Sequence, residues 1–212
     1  MVSKHQEFSM PTINPRYGPR PKGKILPSQL EGYEKSGEWL AQRKFNGSKA
    51  TIFFDQKNLL FFNKGSLFKK YNFPSFFGRE FSALNLKGEC WLDGELLHPL
   101  VKDKIVLYDI LQYDGNYLID LTQEERLNLL SSLVVSTPEP EYGVALQATD
   151  HIWLAEYWTS NFVSRFQDFL HLDLIEGLML RRKRSRLRDF GFRPSETDDQ
   201  VRCRKESRKY RW

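Results

Sequence analysis

The chain has 212 residues, of which 40% are hydrophobic and 14% aromatic, enough to close a core and too apolar for a disordered polypeptide. Its net charge of +5 is unevenly placed: thirteen Lys or Arg stand against five Asp or Glu between Arg181 and Trp212, so residues 1–180 are slightly acidic. No apolar run approaches membrane-spanning length, the start "MVSKHQEFSM" carries no signal pattern, and Cys90 and Cys203 form no C-x-x-C pair; a membrane helix, a disulfide scaffold and a zinc site are excluded, and a soluble intracellular chain is expected.

Residues 11–37 are crowded with Pro, Gly and Lys or Arg, and read as an extended lead-in that wraps the domain and offers binding groups. In "RKFNGSK", Lys44 stands two residues before Asn46-Gly47, a tight-turn pair. The runs "KATIFFD" and "NLLFFNKG", joined by "QK", have the β-branched and aromatic content of an antiparallel hairpin. "CWLDGELLH" and "KIVLYDILQY" are strands interrupted by carboxylates, which are costly in a buried strand unless paired or metal-bound.

Thr122 three residues before Glu125 forms a capping box, and Leu127, Leu130 and Leu133 or Val134 continue it as a helical stripe. "VALQATDHIWLAEYW" is strand-like, "SNFVSRFQDFLHL" predicts an amphipathic helix through Phe162, Phe166 and Phe169 or Leu170, and "LIEGLMLRR" returns to strand. The C-terminal "VRCRKESRKYRW" alternates as a strand does. A basic segment on a slightly acidic body suits a phosphate-rich partner, and equally a solvated tail. Strands with inserted helices predict an α+β domain of antiparallel sheets flanked by helices over residues 38–212, preceded by the lead-in of residues 1–37.

Four pieces place charge at turns or strands that are otherwise apolar: Lys44, the "LDGEL" of residues 92–96, the "LYDIL" of 107–111 and the "EGLML" of 176–180. Together they suggest a cleft in which a lysine acts as nucleophile and carboxylates hold a divalent metal on a phosphate. Taken singly, Glu95 and Glu176 read as strand-end carboxylates in salt bridges, Tyr108 as core or stacking platform, and Asp93 and Asp109 as structural or functional. The four histidines, at 5, 98, 151 and 171, have no mutual spacing that suggests a metal site or a triad.

In this order, "KFNG", "LDGEL", "LYDIL", "EGLMLRR" and the weaker "VRCRK" resemble the motifs of the covalent nucleotidyltransferase superfamily: ATP-dependent DNA ligases, RNA ligases and mRNA capping enzymes. The resemblance runs from about Gln42 to Lys205 and implies a nucleotidyltransferase (adenylation) domain. It implies that Lys44 attacks the α-phosphate of ATP to form lysyl-AMP, with Mg2+ or Mn2+ held by Glu95 and Glu176. Glu95 also reaches the ribose, Tyr108 stacks on adenine, and Gln42 reads the base edge. Lys49, Lys64, Arg202 and Arg204 fall at the places of nucleotide-contacting cations.

The chain departs from the family at Asn46, where Asp is usual, and at Arg202 and Arg204, where lysines are. Arginine keeps the charge but cannot lose a proton. Residues 38–212 leave no length for an OB-fold, so the expectation is a naturally minimal enzyme, a catalytic fragment, or a chain whose clamp comes from a separate OB-fold or clamp protein. The basic strip with Arg181, Arg182, Arg184 and Arg186, interleaved further on with Phe190 and Phe192, is expected to grip nucleic acid. The implied substrates are nicked DNA first and RNA ends second, and a capping nucleotidyltransferase or a binding module without turnover are the alternatives.

Overall fold

A computed structural model describes residues 15–69, 71–97, 101–187 and 195–206. His5, His98, Phe190 and Phe192 lie outside the described residues. After β1 (Arg20–Ile25) come a 3-10 turn, Pro27–Gln29, and α1 (Leu30–Lys35). Strands β2 (Trp39–Phe45), β3 (Ser48–Phe54), β4 (Leu59–Asn63) and β5 (Ser66–Leu67) follow, then α2 (Phe76–Ser82), β6 (Cys90–Leu96), β7 (Ile105–Tyr113) and β8 (Asn116–Tyr117). The remainder is α3 (Gln123–Leu133), β9 (Thr137–Pro138), β10 (Leu146–Gln147), β11 (Ile152–Leu154), β12 (Tyr157–Trp158), α4 (Phe162–Asp168), β13 (Ile175–Arg182) and β14 (Glu196–Arg204).

Two sheets result. One has the order β1-β14-β13-β2-β12, and the other β5-β4-β3-β6-β7-β11-β10-β9 with β8 paired to β7. The expected hairpin is β3 and β4, antiparallel from Thr51 opposite Phe62 to Phe54 opposite Leu59. The expectation of purely antiparallel sheets is corrected by two pairings: β1 runs parallel to β14, and β11 parallel to β7. Both join segments connected through long stretches of chain, as parallel pairing requires. The lead-in, read as extended throughout, supplies an edge strand and a short helix.

Alternation in each strand divides its side chains between two faces. In β3, Ala50, Ile52 and Phe54 join Leu92, Leu107 and Ile110 in a core shared with Phe77 and Phe81 of α2 and Leu130 and Leu133 of α3. The other face carries Phe53, which packs with Phe62, Trp91, Leu111 and Leu187. The five-stranded sheet buries Ala41, Phe45, Leu178, Leu180 and Val201 against Leu30 of α1 and Phe162 and Phe166 of α4. Each fully buried side chain of this size contributes about 1.5–3 kcal/mol. With one face of each sheet covered by helices, the remaining faces are left to form a cleft.

The capping box is present: the Glu125 amide donates to Thr122 Oγ1 at 3.3 Å and the Thr122 amide to Glu125 Oε2 at 2.7 Å. In the predicted phenylalanine helix, Phe162, Phe166 and Phe169 are buried, and Leu170 is exposed. Asn46-Gly47 turns the chain from one sheet into the other, since β2 and β3 belong to different sheets. A β-carbon at Gly47 would lie 2.4 Å from the Leu96 carbonyl oxygen, so only glycine lets the turn pass β6 this closely.

Candidate active site

Cross-strand register builds the cleft face of the five-stranded sheet in rows. Lys44 lies opposite Gly177, which lies opposite Arg204; Gln42 lies opposite Met179, which lies opposite Arg202. The β13 register shifts between Ile175 and Gly177, and the bulge brings Glu176 to the same side. Gly177 permits the close approach of β14: with φ at 151°, an added β-carbon would meet the Cys203 carbonyl oxygen at 2.0 Å. Lys44 Nζ donates to Glu176 Oε2, and Arg204 reaches the same oxygen at 3.4 Å.

The second wall comes from β3 and β6, where Lys49 is paired with Glu95 and Thr51 with Asp93. Lys49 Nζ donates to Asp93 Oδ2 at 2.8 Å and Thr51 Oγ1 to Asp93 Oδ1 at 3.3 Å, so Asp93 is a buried anchor for the lysine. A β-carbon at Gly94 would stand 2.7 Å from the Val106 carbonyl oxygen, which accounts for glycine between the two acids. Glu95 is pushed up to about 7 by burial, against the pull of Lys44 and Lys49 and with the help of the Glu176 and Asp93 charges. The Tyr108 hydroxyl is held well above its ordinary pKa by burial and by Asp93 and Glu95.

The cleft between these walls has a volume of about 1020 Å3. Lys44, Lys49, Lys64 and Glu95 line it, with Tyr108, Arg202 and Arg204 beside them. The structure therefore brings together the expected nucleophile, carboxylates and cations. Arg202 Nε is buried with no protein acceptor among the described residues, an orphan donor that suits a phosphate oxygen.

Other expected site residues are placed differently. Gln42 is 1% exposed, and its amide is already used: Nε2 donates to the Tyr108 carbonyl at 3.3 Å and the Ala155 carbonyl at 3.4 Å, while Oε1 accepts from Arg181. Arg181, read as part of the exposed basic strip, is instead 5% exposed, with its guanidinium 5.2 Å from the centre of the Tyr108 ring. Its position on the cleft face of β13 drives it inward. Arg182, on the alternate face, pairs with Glu38 at 2.9 Å and Asp199 at 3.4 Å and covers Trp39. Of the strip, Arg184 and Arg186 are exposed.

Three contributions were not assigned from sequence. Asp109 is clamped by Arg126, whose Nε and Nη2 each donate at 3.0 Å, and by Gln123 Nε2 at 3.1 Å, which makes it structural. Arg20 of the lead-in lines the cleft. Asn46 Nδ2 donates to the Asp173 carbonyl at 3.2 Å and its amide to the Leu174 carbonyl at 2.9 Å. It thereby ties the lysine turn to the loop that leads to Glu176, a bond an aspartate could not donate.

Glu95 and Glu176 fit a divalent cation through their chemistry: a cation near Glu95 would offset the burial, and the neighbouring Glu176 and Asp93 charges, that raise its pKa. Among the described residues no group of three or more His, Cys, Asp or Glu converges as a metal cage. Two carboxylates with substrate phosphates completing the shell is a common Mg2+ arrangement. Among the described residues no helix is long and apolar enough to cross a membrane.

No family model matches the sequence, and no curated protein matches it. Among solved structures, the chain is similar to a mycobacterial DNA ligase D complexed with ATP and MES, with TM-score 0.59, 16% identity, and 80% of this chain and 55% of that one covered. It is similar also to the ligase domain of M. tuberculosis LigD, with TM-score 0.58, 16% identity and coverage of 77% and 52%. A third structure, Pmar-Lig_Pre, aligns with TM-score 0.60 and 15% identity over 91% of this chain and 47% of that one. The chain spans about half the length of these structures. The likeness is one of fold, shared with these DNA ligase structures.

Proposed function

We propose that the chain is an ATP-dependent polynucleotide ligase acting on nicked DNA through a lysyl-AMP intermediate. The observation that carries this reading is the Lys44 amine in a cationic cleft, bonded to Glu176, with Glu95 on the facing wall. The fold likeness to DNA ligases favours DNA over RNA ends.

In this reading ATP lies with its base against Tyr108 and its phosphates towards Arg202, Arg204 and Lys49. Lys64 meets the ribose or phosphates, and Arg181, held by the buried Gln42, forms the base-facing floor. Attack requires the neutral amine, and Glu176 Oε2, already accepting from Lys44 Nζ, is the protein's acceptor for the departing proton. The N–P bond forms as the bond to pyrophosphate breaks. Mg2+, held by Glu95 and Glu176, would supply charge neutralisation at the phosphates. The arginines add fixed positive charge where negative charge accumulates on the leaving pyrophosphate.

AMP then passes from Lys44 to a 5′-phosphate, releasing the lysine, and a 3′-hydroxyl displaces AMP to seal the strand. Arg20 at the cleft and Lys24 near it supply a phosphate grip, to which the exposed Arg184 and Arg186 add positive charge on the surface. Lys24, exposed, lies beside Arg202 in the β1–β14 register. A second reading, a nucleotide-binding or nucleic-acid-binding module without turnover, is favoured by Asn46 and by arginines where the family has lysines. The discriminating experiment is sealing of a nicked duplex carrying a 5′-phosphate, with a nicked RNA duplex in parallel. Sealed DNA that depends on ATP supports the proposal, and sealing of RNA alone redirects it to RNA ligation. Nucleotide binding without sealing of either supports the module.

A further inference from the structure

Tyr71 and Phe73 do not line the Lys44 cleft, yet they help to build a second depression. Beside the edge strand β5, a groove of about 440 Å3 is lined by Phe61, Leu67, Phe68, Tyr71 and Phe73. Phe61 and Phe73 are parallel with centroids 3.7 Å apart, and Phe68 and Tyr71 meet Phe73 edge-on at 5.4 and 4.8 Å. Phe61 is buried, whereas Phe68, Tyr71 and Phe73 are only half-buried and Leu67 is exposed. The Tyr71 hydroxyl donates to Asp103. A row of aromatic rings left half-open on the surface is the kind of patch that marks an interaction site.

Two features identify its occupant. Leu67 and Phe68 line both this groove and the Lys44 cleft, so the two depressions adjoin at the edge strand. Their shared margin is cationic: Lys64 and Lys69 are exposed and line the cleft. Lys64 is held at the tip of the β4–β5 turn, where it and Gly65 take φ of 49° and 87°, the positive values of a two-residue hairpin turn.

We infer, on the reading of the cleft given above, that this groove holds an unpaired stretch of polynucleotide whose phosphates lead into the cleft. Its bases stack on Phe68 and the neighbouring rings, and its backbone meets Lys64 and Lys69. Aromatic faces bind bases with little sequence preference, and flanking lysines bind phosphates of any sequence. An apolar peptide would use the rings and leave both the lysines and the adjoining cleft without a role.

The test is equilibrium binding of the full chain to a labelled single-stranded oligonucleotide and to an abasic strand of the same length and charge, for the wild type, Phe68→Ala and Phe68→Leu. Phe68→Leu keeps the apolar volume and removes the ring, so it serves if Phe68→Ala fails to fold. The wild type is expected to prefer the base-bearing strand by about tenfold, and the ring-less variants to lose that preference while binding the abasic strand as the wild type does. Equal wild-type affinity for the two strands overturns the inference and leaves an apolar peptide as the occupant. A preference that persists in Phe68→Leu overturns it as well. Label transfer from ATP to Lys44 of the wild type is measured alongside: its absence counts against the reading of the cleft, whereas its presence with no base preference counts against the groove alone.

Discussion

Lys44 Nζ donates to Glu176 Oε2 across neighbouring strands, with side chains 18% and 23% exposed. The contact joins the expected nucleophile to a carboxylate more than a hundred residues away in sequence. Glu176→Ala is expected to slow transfer of AMP to Lys44 by about a hundredfold, the scale on which positioned proton acceptors act. Stability should change by less than about 1 kcal/mol, because partly exposed ion pairs contribute little. Single-turnover labelling and a denaturant titration check both halves; an unchanged labelling rate would remove Glu176 from the chemistry.

Glu95 gives the site a pH signature. Its carboxyl is raised from an ordinary 4.5 to about 7, first by burial. Between these values the folded chain keeps a proton that the unfolded chain has released, so stability falls as pH rises through this window and is level above it. The loss is on the order of 1 kcal/mol, given the partial exposure of Glu95. Glu95→Gln should remove this part of the slope in denaturant midpoints taken between about pH 5 and pH 8. Mg2+ competes with the same proton, so raising Mg2+ should shift the rising limb of the labelling profile to lower pH.

The Asp109–Arg126 pair, with side chains 3% and 1% exposed, fastens α3 to β7 behind Tyr108. Arg126→Ala strands a buried carboxylate and should destabilise the chain by about 3–5 kcal/mol. Replacing both partners with apolar residues of similar volume should recover most of that loss, as judged by thermal or denaturant unfolding. A single variant as stable as the wild type would mean that the pair is not structural.

Polynucleotide binding should depend on salt through cations that solvent reaches rather than through the buried Arg181. Replacing Arg20, Lys24 and Lys69 together with alanine should make the slope of log affinity against log salt shallower by about 2–3, close to one for each lost phosphate contact. Arg181→Ala should act by loosening Gln42 and Tyr108, with weaker ATP binding at an unaltered salt slope. Fluorescence anisotropy across a salt series measures the first effect, and ATP titration measures the second.

Local pattern revealed much of the fold. The β-branched and aromatic content of "KATIFFD" marked β3, the Thr122–Glu125 box marked the start of α3, and the glycines of "DGE" and "EGL" sit where strands approach closely. The pairing of β1 with β14 could not be read, because β1 looks like a basic Pro- and Gly-rich loop, β14 opens on the acidic "ETDD", and only the assembled sheet gives the lead-in an edge to join. Arg126 escaped notice because a charged residue on a helix reads as solvent-facing, and its partner Asp109 lies on a strand. Arg181 looked like one more member of a basic run, although the two-residue period of β13 separates it from Arg182: one side chain turns into the cleft, the other towards Glu38.

The most direct test is incubation of the purified chain with α-labelled ATP and Mg2+, with α-labelled GTP and Lys44→Ala in parallel, and measurement of label retained on denatured protein. The account predicts label from ATP on the wild type and none on the folded Lys44→Ala variant. Label that persists in Lys44→Ala, or a folded wild type that takes none from ATP, would contradict it.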